Sequence, residues 1–342
     1  MMLDSQMAKN FMNFGNMECK GSSEIYEFLS VKIAEDDDLL DLCQAVPKGQ
    51  PVPNLLFGAV HYLLLKGTVH PLKDYYRSVT NPQRKIDNET FSNFKDFCDR
   101  YRNEIVPILE SKFVQTNEVR RCGYLYPVFS WIYSKAEKPL SIIEIGTSAG
   151  LQLLWDHYSY SYGTGKTYGS EGASVHVTSE IRGKRAPFLP TEPPPISSKV
   201  GLDLNISDLS NPEDYLWLKA LIWPKHQERL KLFDSAAECL KENPLNLVEG
   251  DGVLLLSDII ETLPEDSAVC IFHTHVANQI PNESKVDLLD SITKIGRVRD
   301  VFHIYNNMWD RQLHLDYYVN GVEYKKTIGA TDGHGRWFEW NL

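Results

Sequence analysis

The chain is short of the features that mark several protein classes. It has six cysteines in 342 residues, Cys19, Cys43, Cys98, Cys122, Cys239 and Cys270, and no two stand as C-x-x-C. That scatter argues against a disulfide frame or a zinc knuckle and fits reduced thiols in a cytosol. Positive charge is scarce. There are 35 Lys and Arg against 46 Asp and Glu, giving a formal charge of -11 and a pI of about 5.4. Nucleic acid is therefore not an expected partner, because phosphate binding needs a basic face. The best basic cluster, Arg182-Gly183-Lys184-Arg185, reads as a solvated loop. The longest apolar run, NLLFGAVHYLLL at Asn54–Leu65, contains His61 and is too short to span a bilayer. It reads as a buried helix, and no membrane partner is expected. The N-terminus, MMLDSQMAKNFMNFGNMECK, lacks the apolar stretch of a signal peptide. The expected location is cytoplasmic. No repeat and no low-complexity tract is visible.

What is present is enough apolar residue, 42% of 342, to bury the core of one large domain or two ordinary ones. Residues 1–20, rich in Met and Asn, are expected to be disordered. Residues 21–135 read as helical throughout and are expected to form an N-terminal all-helical cap. Within them Ser22-Ser23-Glu24 caps one helix, and Phe91, Phe94, Phe97, Cys98 and Tyr101 make an amphipathic stripe. Residues 136–342 alternate strands and helices. The strands are Leu140–Ile145, Ser174–Ser179, Val200–Leu204, Asn246–Val248, Ala268–Phe272, Val301–Tyr305 and a hairpin near Leu313–Lys326 turning at Asn320-Gly321. Helices are expected at Gly150–Tyr160, Glu213–Asn243 (kinked or split by Pro224), Gly252–Thr262 and Lys285–Gly296. Such alternation predicts an α/β fold with a mostly parallel sheet and helices on both faces.

The stretch SIIEIGTSAGLQLLWDHY, residues 141–158, carries two overlapping motifs. Gly146-Thr147-Ser148-Ala149-Gly150 is literally G-x-S-x-G, the nucleophile elbow of a serine hydrolase. A hydrolase elbow, however, follows several strands, one of them bearing an oxyanion loop. Here it follows the first strand, after helical residues. Asp251 and then His273, His303 or His334 keep a Ser148 triad open as an alternative. The same stretch also reads as strand, glycine turn and helix, which presents backbone N–H groups to a ligand. Asp203, ending Gly201-Leu202-Asp203, can then accept from two ribose hydroxyls. Asp251, in Val248-Glu249-Gly250-Asp251-Gly252, can accept from the amine of adenine. Ile271-Phe272-His273-Thr274-His275 ends a further strand, at the end where open α/β sheets bind ligands.

The order E-x-G-x-x-x-G, then G-x-D, then G-D, then a polar strand end resembles the class I S-adenosylmethionine-dependent methyltransferases. The resemblance implies a Rossmann-like methyltransferase-type core with S-adenosylmethionine as cofactor and a small-molecule substrate. It also implies that Glu144, Gly146, Thr147, Ser148 and Gly150 line the methionine and ribose, with Asp203 on the ribose diol and Asp251 with Gly252 at the adenine. One departure is that the acid-bearing strand lies about fifty residues past the loop, against ~20 in a plain unit. The Tyr162–Ser198 segment must be looped out, and Glu180 is a rival for the ribose acid. The whole chain also resembles a bacterial family, the domain of unknown function numbered 2332. The matching segments are Gln115–Cys122, Glu144–Asp156, Val200–Leu204, Trp217–Arg229 and Gly333–Trp337.

Outside the sheet, Gln115-Thr116-Asn117-Glu118 with Arg121 is the densest polar group. Glu118 and Arg121 share a helical face. The functional reading is a lid in which Gln115, Asn117 and Arg121 meet ligand and Glu118 takes part in catalysis. The structural reading is a Thr116 or Asn117 cap and an ion pair. His273 and His275 stand two apart, so on a strand they point the same way, and either could be a general base. No third ligand is near them, so no metal is expected. His334, between two glycines, reads as a loop residue. Trp217, Trp223, Trp309, Trp337 and Trp340 read as core or pocket wall. The leading expectation is a small-molecule methyltransferase whose cleft lies between the helical part and the sheet. A non-catalytic nucleotide-binding module of the same fold is the alternative.

Overall fold

The apolar run Leu140–Ile145 forms strand β1 with every residue buried, as a strand covered on both faces requires. The computed structural model describes residues 2–115 and 117–342, with side chains from Gln6 onward. Six strands join β1 in one sheet: β2 (Ile196–Asp203), β3 (Asn246–Glu249), β4 (Ala268–His273), β5 (Val301–Tyr305), β6 (Gln312–Val319) and β7 (Val322–Ala330). Their spatial order is β7-β6-β5-β4-β1-β2-β3. The pairings β1·β2, β2·β3, β1·β4 and β4·β5 are parallel, while β5·β6 and β6·β7 are antiparallel. The β6–β7 hairpin turns at Asn320-Gly321, both with positive φ, as a primed two-residue turn demands. The strand order reverses beside β1: the chain steps outward from β1 to β3 on one side and from β4 to β7 on the other.

Alternation along the strands sends Ile143, Ile145, Val200, Leu202, Val269, Ile271 and Val301 to one face. There they join one buried cluster with Val253, Leu256 and Ile260 of a helix at Gly252–Glu261 and Leu288 and Ile292 of a helix at Asn282–Gly296. On the other face Phe272 meets Phe129 edge-on, and Phe129, from a helix at Cys122–Ala136, stacks on Trp155 at 4.6 Å. Helices therefore cover both faces.

The chain divides into two compact units, Met1–Thr116 with Ser210–Leu230, and Asn117–Leu209 with Lys231–Leu342. The second contains the sheet and the Cys122–Ala136 helix, which the sequence groups with the preceding helices. The first has no strand among its described residues. Its core is aromatic: Tyr26 stacks on Phe57 at 4.1 Å, and Phe11, Phe14, Phe94 and Trp223 surround the pair. The Asn54–Leu65 run lies in a buried helix, Val52–Leu65, where His61 bonds Ala220 O at 2.7 Å and Ser78 Oγ at 2.6 Å.

Several expectations need correction. The described residues of the N-terminal segment are helical. Met2–Asn13 is α-helix and Phe14–Cys19 is π-helix, anchored by fully buried Phe11 and Cys19. The helix expected at Gly150–Tyr160 is only a 3-10 segment, Leu151–His157. Leu151 through Trp155 are all buried, so this stretch has no polar face to expose. The strand expected at Ser174–Ser179 is present but shorter and outside the main sheet: His176–Thr178 lies in a three-stranded sheet with Ser159–Ser161 and Thr167–Gly169. That small sheet fills the β1–β2 connection and explains the long spacing before Asp203. Pro224 does split the expected long helix, into Pro212–Ala220 and Gln227–Glu242. Trp309 is 60% exposed rather than core, with Lys285 Nζ over its ring. All six cysteines are free and buried. No helix among the described residues is long and apolar enough to cross a membrane.

Candidate functional site

The carboxyl ends of β1, β2 and β4 meet where the strand order reverses, the position at which open α/β sheets bind ligands. Glu144 lies near the end of β1 and is 2% exposed. Burial pushes its carboxyl up to about 8, and Thr147 Oγ1 donates to its Oε2 at 2.7 Å. Burial thus favours its neutral form. Beyond it the loop satisfies its own backbone. Gly146 N and Thr147 N donate to Leu202 O, Gly150 N donates to Thr147 O, and Ser148 N donates to Asp203 Oδ2 at 2.7 Å. Gly146, at φ +78°, is needed for packing: a Cβ there would lie 2.3 Å from Val276 Cγ2. Gly150 is also left-handed, and a Cβ on it would meet Leu245. Gly252 lets its helix approach Ile145 and Leu202.

Asp203 ends β2 beside this loop, its Oδ1 accepting from Asn205 N at 3.0 Å. Burial raises its pKa, against the backbone hydrogen bonds it accepts. Asp251 follows β3 and caps the next helix, its Oδ1 accepting from Val253 N at 2.8 Å and Leu254 N at 3.3 Å. Glu180 lies in a short strand, Glu180–Arg182, paired with Trp337–Glu339 in a separate sheet, and it is bound to Arg182. Two leucines follow the two acids and were not anticipated: Leu204 is 74% and Leu254 76% exposed.

The lid residues described in the second unit come together with the loop and the end of β4. Asn117 Nδ2 donates to Ser148 Oγ at 2.6 Å. Arg121 Nε donates to Gly333 O at 3.0 Å, and its Nη1 to Thr274 O and Oγ1 at 3.2 Å. Thr274 Oγ1 donates to Gln152 Oε1 at 3.0 Å. Glu118, 3% exposed, accepts from Arg120 N and has Oε2 3.4 Å from His334 Nδ1. Gln115 falls in the first unit. The Thr116 cap lies outside the described residues.

His273 and His275 do not share a direction. β4 ends at His273, and His275 has φ +59°, so strand alternation stops between them. His275 N donates to Asn306 Oδ1 at 2.8 Å, and its Nδ1 pairs with Asn307 Nδ2 at 3.0 Å. Burial lowers its pKa to about 3, with help from Arg121 and His334. His273 shares the face of Ile271, opposite Glu144. It is fully buried, pairs with His303 through Nε2 atoms at 3.0 Å, and is pushed down by burial to about 4. It is a core histidine, remote from the lid residues' face. Sequence reading missed Gln152, Thr274, Val276, Asn306 and Asn307 as site builders. The signal available was their position, just beyond the ends of β1, β4 and β5.

No curated protein and no solved structure matches the chain. A family model does, over residues 8–340, and its description is "Uncharacterized protein conserved in bacteria (DUF2332)". The match covers nearly the whole chain, so this protein belongs to that bacterial family, the domain of unknown function 2332.

Proposed function

We propose that the second unit binds S-adenosylmethionine at the carboxyl ends of β1, β2 and β3 and is a methyltransferase acting on a small molecule. The order β3-β2-β1-β4-β5, with strands stepping outward on either side of β1, supports a Rossmann-like doubly wound reading. The observation that carries the reading is the 2.7 Å bond from Ser148 N to Asp203 Oδ2. It brings the glycine loop and the acid of the neighbouring strand to one point. A carboxylate accepts only, which suits a ribose diol that donates twice. Leu204 and Leu254, exposed beside Asp203 and Asp251, offer apolar surface to the faces of a purine, while Asp251 suits its amine. Val276 fills the space over Gly146 and Ser148 is 4% exposed, so the ligand's contacts fall on Asp203 and Asp251 instead.

The cofactor supplies an electrophilic methyl group. The chain's own contribution is to hold donor and acceptor in line and keep water out, and such positioning lowers barriers by about 7–11 kcal/mol in favourable cases. Ser148 is left-handed at φ +52°, which favours a hydrolase elbow as a second reading. Against it, the Ser148 hydroxyl accepts from Asn117 and is 4% exposed. A fluorophosphonate that labels Ser148 would establish that reading.

Calorimetry with S-adenosylmethionine and S-adenosylhomocysteine tests the proposal. Micromolar binding is expected. Asp203→Ala should weaken it about thirtyfold, the worth of ~2 kcal/mol of hydrogen bonds to a charged group. Leu254→Asp, on an exposed position that leaves the fold alone, should weaken it about tenfold, or ~1.4 kcal/mol. A folded wild type that binds neither compound at millimolar concentration ends the proposal. Binding without turnover of any acceptor in metabolite extracts favours the non-catalytic module.

A further inference from the structure

We infer that β7 pairs antiparallel with β7 of a second copy of this chain, about a two-fold axis at Tyr324, so that two seven-stranded sheets run on as one. The pairing is independent of the methyl-transfer reading.

The edge itself invites a strand. β7 is an outer strand of the sheet and runs for nine residues. An outer strand carries a row of backbone N–H and C=O groups on its open side, and proteins blunt such edges by keeping them short or covering them. The opposite edge, β3, is only four residues long. The far end of β7 is covered: Asn341 N and Nδ2 donate to Ile328 O at 3.0 and 2.9 Å, and Ala330 N donates to Glu339 Oε2 at 3.2 Å. Residues 322–327, by contrast, are all exposed.

Charge selects the occupant and the register. In an antiparallel pair, directly opposed residues point to the same face. Two identical strands related by a two-fold axis are therefore centred on one residue. Centring on Glu323 opposes two carboxylates, and centring on Lys325 or Lys326 opposes two ammonium groups, which destabilises the pair. Centring on Val322 leaves only the Asn320-Gly321 turn to face Glu323 and Tyr324. Centring on Thr327 runs the strand into the covered residues 328–330. Centring on Tyr324 sets Glu323 opposite the second copy's Lys325, and Lys325 opposite the second copy's Glu323. Within one chain Lys325 Nζ already lies 3.3 Å from Glu323 Oε1. Pairing thus closes a ring of four charges that alternate in sign.

The other face of β7 supplies apolar contact. Phe302, Tyr317 and Tyr324 stand side by side on β5, β6 and β7, their rings stacked at 5.4 and 4.8 Å. The ladder ends at Tyr324, which is exposed. The second copy's Tyr324 would continue it one strand spacing further out, about 4.8 Å away. Val322, on the same face, then meets the aliphatic stem of the second copy's Lys326.

Sedimentation of the full chain tests the pairing. At about 100 micromolar protein a species of twice 39.1 kDa is expected. A wild type that sediments as a monomer there overturns the inference. Glu323→Lys and Lys325→Glu each oppose like charges in two places, and each should weaken the dimer by about tenfold or more. Both exchanges together restore opposite charges in this register and should bring the dimer back. A dimer indifferent to the single exchanges, or one that the double exchange does not recover, lies on another surface and overturns the inference. Hydrogen exchange of the wild type keeps the test decisive if a variant fails to fold. The amides of residues 322–326 should gain protection as protein concentration rises, and exchange there that ignores concentration overturns the pairing.

Discussion

Gly146→Ala should destabilise the protein by about 3 kcal/mol or more, with no ligand involved. Two costs add. An alanine at φ +78° sits in the left-handed region, which costs a residue with a Cβ ~1–2 kcal/mol. The new methyl would also lie 2.3 Å from Val276 Cγ2 and 2.8 Å from Cγ1. Val276 is β-branched and stiff at χ1, so it cannot swing aside as a leucine end could. Relief must come from the backbone beyond His275, and overpacking of this kind costs about 1–3 kcal/mol. The midpoint of thermal unfolding should fall by roughly 2 °C or more per kcal/mol. Val276→Ala in the same chain should restore part of the loss, because it removes both offending carbons. A Gly146→Ala variant as stable as the wild type would mean that the glycine is kept for a ligand's approach and not for Val276.

That contrast shows where the sequence was legible. Strands β1 and β5 begin and end where the apolar runs do, because a strand buried on both faces announces itself without any periodicity. Asp203 at the end of β2 and the turn at Asn320-Gly321 follow from the same punctuation. The identity of Gly146's close neighbour was not legible. Only tertiary structure brings Val276, 130 residues away, over the loop. The Leu151–His157 segment misled for a related reason: its helix pattern came from residues buried on every side, which carry no period. Met2–Cys19 misled in reverse, since buried anchors such as Phe11 and Phe14 order a stretch that composition marks only as rich in Met and Asn. At the site, Asn117, Glu118 and Arg121 were readable as a dense polar group, but their partners Thr274, Gly333 and His334 lie more than 150 residues on. His334 looked like a loop residue because its two glycines were visible and its carboxylate partner was not.

The second large effect expected is a stability maximum near pH 6.5, whose alkaline side becomes much shallower in Glu144→Gln. Burial holds Glu144 at about 8 against an ordinary 4.5. The folded state therefore keeps a proton that the unfolded chain releases. Its contribution is fully present below about pH 4.5 and is lost as pH rises through about 8, a fall of order 4 kcal/mol. Buried His61 and His273 act in the opposite sense. Each is pushed down to about 4 from an ordinary 6.5, so the unfolded chain binds protons that the folded one refuses. The stability they allow is present above 6.5 and is lost as pH falls toward 4, about 3 kcal/mol for each. His275 and His303 are shifted down as well and steepen the acid limb. Urea unfolding at pH 5, 6.5 and 9 measures both limbs. Glu144→Gln keeps an acceptor for Thr147 while removing the ionisation, so its stability relative to wild type should grow from pH 5 to pH 9 by a few kcal/mol. Its acid limb should be somewhat steeper, because Glu144's opposing slope is gone. Parallel pH curves for the two proteins would mean that Glu144 is charged in the folded state at neutral pH. The carboxyl beside the glycine loop would then act as an anion.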